Sequence, residues 1–283
     1  MPPRSNPTAR QERLGAELRK MRERSGVTAR SAAALLGSNP MQMSHVESGR
    51  SGISEDRIRR LAAYYACDDA EFIDALVAMA TERGKGWWVA YRGTIAPAGL
   101  DLAELEHHAT GIRTFEVTHI PGLFQTEDHM GAAFRYVSPD WPQADFDAHV
   151  AFRSRRQQII TESGQTPFEA LIHEAALRIK VGGRKTARAQ LERILELSEL
   201  DHVTVGVIPF DTEDFAGAGH SMLYISGPVP QLDTVQLDTA HGGVFLDAEP
   251  RLKQYRTRYG QIQTTALAPA PSQDLINRIV HEL

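Results

Sequence analysis

The stretch TARSAAALLGSNPMQMSHVESGR, residues 28–50, decides how the chain is read. Two short helical segments meet in it across a single glycine. Thr28 is a good N-cap, and ARSAAALLG then runs until Gly37 stops it. Asn39, Pro40 and Gln42 make a second start, with Asn at the N-cap, Pro at the first helical position and Gln at the third. Met43 and Val46 fall on one face of that second segment, and Gly49 closes it. Between Ser38 and Glu47 it carries no Lys or Arg.

Upstream, RLGAELRKMRERSGVT spaces Leu14, Leu18 and Met21 at helical intervals and ends at Gly26. Downstream, Ser54 caps EDRIRRLAAYYA, with Ile58, Leu61, Ala62 and Tyr65 inward. Asp68 or Asp69 starts a fifth helix carrying Phe72, Ile73, Leu76 and Val77. Five short helices in about 65 residues, with a tight glycine turn between the second and third, fit a helix-turn-helix bundle. It is placed at residues 13–80. Residues 1–12 lack periodicity and are expected to be disordered. The polar, glycine-containing segment 81–86 is expected to be a linker.

Charge agrees with this division. The net charge is −5, yet residues 1–60 hold 12 Lys and Arg against 6 Asp and Glu. A basic module joined to an acidic one is the expected pattern for nucleic-acid contact through the first module. The single cysteine, Cys67, excludes an internal disulfide framework and is read as a buried small residue. No apolar run approaches the ~18–20 residues of a membrane span, and the polar start lacks a signal-peptide core, so a cytoplasmic protein without membrane contact is expected.

Residues 87–283 change period. IRTFEVTHIPG, HVTVGVIPF, SMLYISG and DTVQLDTAHGGVFLD read as strands, and FEALIHEA as a strand leading into a helix at Ala175. TEDHMGAAFRYV, FDAHVAFRSRRQQIITE, TARAQLERILELSE, PRLKQYRTRYGQIQTTAL and SQDLINRIVHEL read as helices. The fold expected overall is an all-α five-helix helix-turn-helix domain followed by an α+β domain, its mostly antiparallel sheet flanked by helices. Trp87, Trp88 and Tyr91 make an aromatic cluster, read first as packing and second as a partner or ligand surface. The loop at residues 211–220 is read first as a connection and second as a lid. No G-x-S-x-G, H-E-x-x-H or G-x-x-x-x-G-K-[ST] motif occurs, so no enzyme, cofactor or metal site is expected.

The motifs LRKMRERSGVT and AAALLGSNPMQMSHVESGR resemble the XRE/Cro-like helix-turn-helix regulators over residues 13 to about 67. The resemblance implies that the third helix enters the major groove of double-stranded operator DNA. Its base-facing side chains would be Met41, Gln42, Ser44 and His45. Gln42 suits adenine and Met41 a thymine methyl. Arg30, Asn39, Arg50 and Arg57 would touch phosphates or the groove edge, and Glu47 would make an intramolecular bond. Arg13, Arg19, Lys20, Arg22 and Arg24 are further candidates for backbone affinity. Ala29 and Pro40 depart from the family, each losing one hydrogen-bonding group. GWWVAYRG, FEVTHIPGLFQTEDHMGAAF, RSRRQQII, ALIHEAALRIKVGG, AQLERI and VTVGVIPF resemble the C-terminal domain of actinobacterial WhiJ-like, antitoxin-like XRE regulators. That resemblance implies a signal from a small partner protein encoded nearby. One short recognition helix covers few base pairs, so a homodimer on symmetric half-sites about 34 Å apart is expected, with repression as the default action. The alternatives are a small-molecule ligand, an antitoxin role and, last, an enzyme with a tethered DNA-binding module.

Overall fold

The computed structural model describes residues 4, 6–82, 86–162, 166–213, 215, 220–239 and 242–283. The chain divides into two compact units, Met1–Val89 and Ala90–Leu283. Residues 83–85 of the expected linker, and residues 214 and 216–219 of the loop considered as a lid, lie outside the described residues. No described helix is long and apolar enough to cross a membrane.

The first unit is helical: α1 (Ala9–Arg24), α2 (Ala29–Leu35), α3 (Pro40–Glu47), α4 (Glu55–Tyr64) and α5 (Ala70–Thr81). Leu18, Met43, Ile58, Leu61 and Leu76 are fully buried, one or two from each of four helices. Each such side chain contributes about 1.5–3 kcal/mol by leaving water. The amphipathic spacing read from the sequence therefore sets the packing. One expectation is corrected: α1 begins at Ala9, so residues 9–12 are helical and not disordered. The reason is a capping box. The Thr8 hydroxyl accepts from Gln11 N at 3.4 Å, and the Gln11 side chain accepts from Thr8 N at 3.2 Å. Arg4 also departs from disorder, donating from its backbone N to Arg50 O at 2.7 Å and from Nη1 to Gly49 O at 2.9 Å. Residues 1–3 and 5 lie outside the described residues.

The second unit opens with α6 (Pro97–His107) and β1 (Gly111–Glu116). Then come α7 (Glu127–Val137), α8 (Gln143–Arg156), α9 (Gln158–Thr161), β2 (Phe168–His173), α10 (Glu174–Arg178), α11 (Arg184–Ser198) and β3 (Val203–Ile208). The chain finishes with β4 (Met222–Ser226), β5 (Thr234–Thr239), β6 (Gly242–Leu246), α12 (Glu249–Gln263) and α13 (Pro269–Glu282). The six strands form one sheet in the order β3-β2-β1-β4-β5-β6. β1, β2 and β3 pair in parallel, and their connections carry the helices that parallel crossovers require. β1 also pairs antiparallel with β4, as do β4 with β5 and β5 with β6. The sheet is mostly antiparallel and flanked by helices.

Each sheet face is covered. One face packs Ile112, Ala170, Ile172, Val205 and Val207 against helices that include α11 and α13, through Leu191, Ile194, Ile276 and Ile279. The other packs Phe115, Leu171, Tyr224 and Val235 against α12 through Leu252, Tyr259 and Ile262. β3 is an edge strand, and the α12–α13 corner satisfies part of that edge. Leu267 N donates to Val207 O at 2.9 Å, and Val207 N donates to the fully buried Ser272 hydroxyl at 2.9 Å.

Candidate nucleic-acid interface

The turn between α2 and α3 is built by backbone geometry. Gly37 takes φ +61°, in the left-handed region that glycine enters without steric cost. Ser38 N donates to Ala33 O at 2.9 Å and Gly37 N to Ala34 O at 3.0 Å, the paired bonds of a Schellman stop. Three residues later α3 has begun. The Asn39 side chain accepts from Gln42 N at 2.8 Å, and Pro40 occupies the first helical position, where no N–H is needed.

This start fixes which side chains of α3 face outward. Met43 and Val46 are buried in the helical core. Met41, Gln42 and Ser44 are exposed, with Met41 71% exposed despite being apolar. His45 is half-buried beside them. A projecting apolar side chain next to an amide and a hydroxyl is unfavourable in water and suits the edge of a base pair. Of the other DNA candidates, Arg30 in the first turn of α2 and Arg50 just beyond α3 are exposed, and Arg57 in α4 is half-buried. Asn39 is exposed, but its carbonyl oxygen is committed to the cap. The first turn of α2 is capped likewise, the Thr28 hydroxyl accepting from Ser31 N at 3.1 Å.

α1 holds the far end of α3. The Arg22 guanidinium donates to both Glu47 carboxylate oxygens, at 2.6 Å and 2.9 Å, and to Val27 O at 3.0 Å. Both side chains are largely buried, at 12% and 8% exposure. The hydrogen bond to Glu47 raises Arg22 above its ordinary value. Burial, and then the Glu47 charge, push the nearby Tyr65 hydroxyl up to about 12. The expected intramolecular role of Glu47 is therefore seen. Two glycines let the backbones meet. A Cβ on Gly15 would lie 2.6 Å from Val46 O, and one on Gly49 would lie 2.6 Å from Gln11 O.

The same contacts correct the list of cations read from the sequence. Arg22 is held by Glu47, and Arg13 is 7% exposed with Nε 2.8 Å from Glu17. Neither faces solvent as a phosphate ligand. Lys20 also meets Glu17, at 2.8 Å, and Arg19 meets Glu23 in an exposed pair at 2.7 Å. Among the described residues, Arg24, Arg30, Arg50 and Arg57 carry no intramolecular ion pair. Arg4 was not read as part of this surface, because no periodicity marks it. Its bonds to the Gly49 and Arg50 carbonyls lie beside Arg50.

In the C-terminal unit and the segment before it, the aromatic candidates are mostly enclosed. Trp88 is buried, and Trp87 is half-buried and edge-on to it, with ring centroids 6.0 Å apart. Tyr91 is half-buried and edge-on to Phe152 at 5.1 Å. Buried polar contacts unmarked by any sequence motif tie α8 to α6 and to Gln125. The Arg156 guanidinium donates to both oxygens of buried Glu106, at 2.7 Å and 2.6 Å, and Arg153 donates to Gln125 at 2.7 Å. Burial, and then the charges of Arg153 and His119, push the His129 imidazole down to about 4. At the end of β1, burial pushes the Glu116 carboxyl up to about 7, against the hydrogen bond from Ser221 and with the Asp238 charge adding to the rise. Among the described residues, no group of three or more His, Cys, Asp or Glu is placed to hold a metal ion.

A family model described as a helix-turn-helix domain matches residues 13–73. A second, described as a domain of unknown function (DUF5753), matches residues 100–278. No curated protein and no solved structure matches the chain.

Proposed function

This chain belongs to the DUF5753 family, and we propose that it is a sequence-specific DNA-binding transcriptional regulator that represses as a homodimer. The observation that carries the reading is the exposed face of α3: Met41, Gln42 and Ser44 outward, Met43 and Val46 inward, on a helix launched by a glycine turn. Exposed Arg30 and Arg50 flank this face in sequence and supply cations for phosphates. A helix this short covers few base pairs, and two copies on half-sites about 34 Å apart are the usual remedy. In this reading the C-terminal domain holds the dimer and receives the signal of a small partner protein, the partner being what the resemblance of its motifs to the WhiJ-like group suggests.

The experiment is selection of duplexes from a random pool by the full chain, followed by footprinting of the winning sequence. A palindromic footprint whose protection is lost in Gln42→Ala supports the reading. Selection that enriches no sequence defeats it. Sedimentation of the chain as a monomer at micromolar concentration, with and without the selected DNA, would remove the dimer. Co-expression with the small reading frames that flank its gene tests the partner, the decisive result being whether one of them co-purifies.

A further inference from the structure

Between Glu249 and Asp274 the sequence holds no Asp or Glu. The same stretch holds Arg251, Lys253, Arg256 and Arg258, inside a region where acids otherwise outnumber bases. All four lie on α12. Leu252, Tyr259 and Ile262 turn one face of this helix into the core. Arg256 is spent internally: Nη1 donates to the Tyr224 hydroxyl at 3.0 Å and lies 3.3 Å from Asp233, and Nη2 meets Glu249. It pins the helix. The face left to solvent carries Arg251, Lys253, Gln254, Thr257, Arg258 and Gln261, all exposed. It borders an open depression of about 460 Å³. Among the described residues, Asp233 meets this helix only through Arg256, and Glu169, at its far end, meets Gln263 and Arg113.

We propose that this outer face of α12 is a second DNA contact, one that takes the phosphate backbone of a duplex. The proposal rests on the DNA-binding reading above. Three cations that pair with no acid among the described residues complement a polyanion, and the interleaved Gln and Thr side chains are hydrogen-bond donors that phosphate oxygens accept. From Arg251 to Gln261 the helix advances about 15 Å. That length can meet about two or three successive phosphates of one strand. Such a contact carries no sequence information and adds affinity that salt weakens.

The test uses the full chain and a fluorescent duplex of about 40 base pairs from its own promoter, long enough for two half-sites and flanks. The triple variant Arg251→Gln, Lys253→Gln, Arg258→Gln changes only exposed side chains, and its melting temperature checks the fold. We expect affinity to fall about tenfold near physiological salt, and the slope of log affinity against log salt to shrink by about 2–3. A photo-crosslinking residue at Thr257 should attach to the duplex, and the same residue at the 90% exposed Tyr136 should not. Wild-type affinity and slope in the triple variant, without crosslinking at Thr257, would overturn the proposal and leave this face to an acidic protein. A wild-type chain that binds no duplex at any salt would instead defeat the DNA-binding reading beneath it.

Discussion

The Arg22 guanidinium grips the Glu47 carboxylate through two hydrogen bonds, at 2.6 Å and 2.9 Å, and so ties the end of α3 to α1. Removing one partner leaves the other charge largely buried and unpaired. Glu47→Ala should therefore cost about 3 kcal/mol or more. Replacing both residues by apolar ones of similar size should cost less than the sum of the single changes. Urea denaturation of the two single variants and the double variant checks this. Additive losses would show that the pair is not coupled.

Gly15 gives a prediction whose sign runs against propensity. Gly→Ala inside a helix ordinarily stabilises by about 1 kcal/mol. Here the new methyl would lie 2.6–2.7 Å from the backbone of Val46 and Glu47, which cannot move aside as a side chain can. Gly15→Ala should destabilise by about 1–3 kcal/mol and weaken DNA binding by displacing α3. Thermal melts and a duplex titration read the two effects.

Ala66 follows α4 with φ +54°, among the described residues the one non-glycine with positive φ. Cys67 N donates to Ala62 O at 2.9 Å across it, the same stop that glycine serves after α2. Ala66→Gly should relieve the left-handed strain and stabilise by about 0.5–1 kcal/mol, net of the entropy that glycine costs. A lower melting temperature in this variant would contradict it.

Glu116 links stability to pH. Its folded value is raised from 4.5 to about 7, so the folded state holds a proton that the unfolded chain has already released. Its contribution is fully present below about pH 4.5 and is lost as pH climbs through 7. Glu116→Gln should remove that loss, gaining about 1–3 kcal/mol at pH 8 relative to wild type and little at pH 4. Denaturation of both proteins at the two pH values measures the difference.

At the reading head, Gln42→Ala should cost about 1–3 kcal/mol for one preferred base and nothing for its alternatives. Arg50→Ala should weaken every sequence alike and lower the salt slope by about 1. Titrations of both variants against a set of single-base operator changes separate the two patterns.

The helical unit was legible because its signals are local. Thr28, Gly37, Asn39 and Pro40 specify caps and a turn within a few residues, and Met43 and Val46 announce the inward face. Most strands were legible for the same reason, FEALIHEA included: β2 ends at His173, whose Nδ1 accepts from Ala175 N at 3.2 Å and starts α10. What was hidden depends on partners distant in sequence. Arg22 looks like any surface arginine until Glu47 is placed beside it, and Arg4 has no pattern until its carbonyl acceptors arrive. The basic face of α12 was missed because α12 reads as an ordinary amphipathic helix, and its charge matters only against an acidic surround. The mix of parallel and antiparallel strands was likewise unreadable, since no residue type marks the direction of its neighbour.

The place of β1 in the sheet sets an order of synthesis. Thr114 and Met222, joined across β1 and β4, are 108 residues apart. While a ribosome makes the stretch between them, β2 and β3 can line up on one side of β1, and its other edge stays open to any strand it meets. The helical unit ahead of it needs no such wait, since the side chains of its core, from Leu14 to Val77, are all made before β1. The nascent chain is thus exposed to mispairing for the time it takes β4 to emerge, and co-translational holding by a chaperone matters most in that interval.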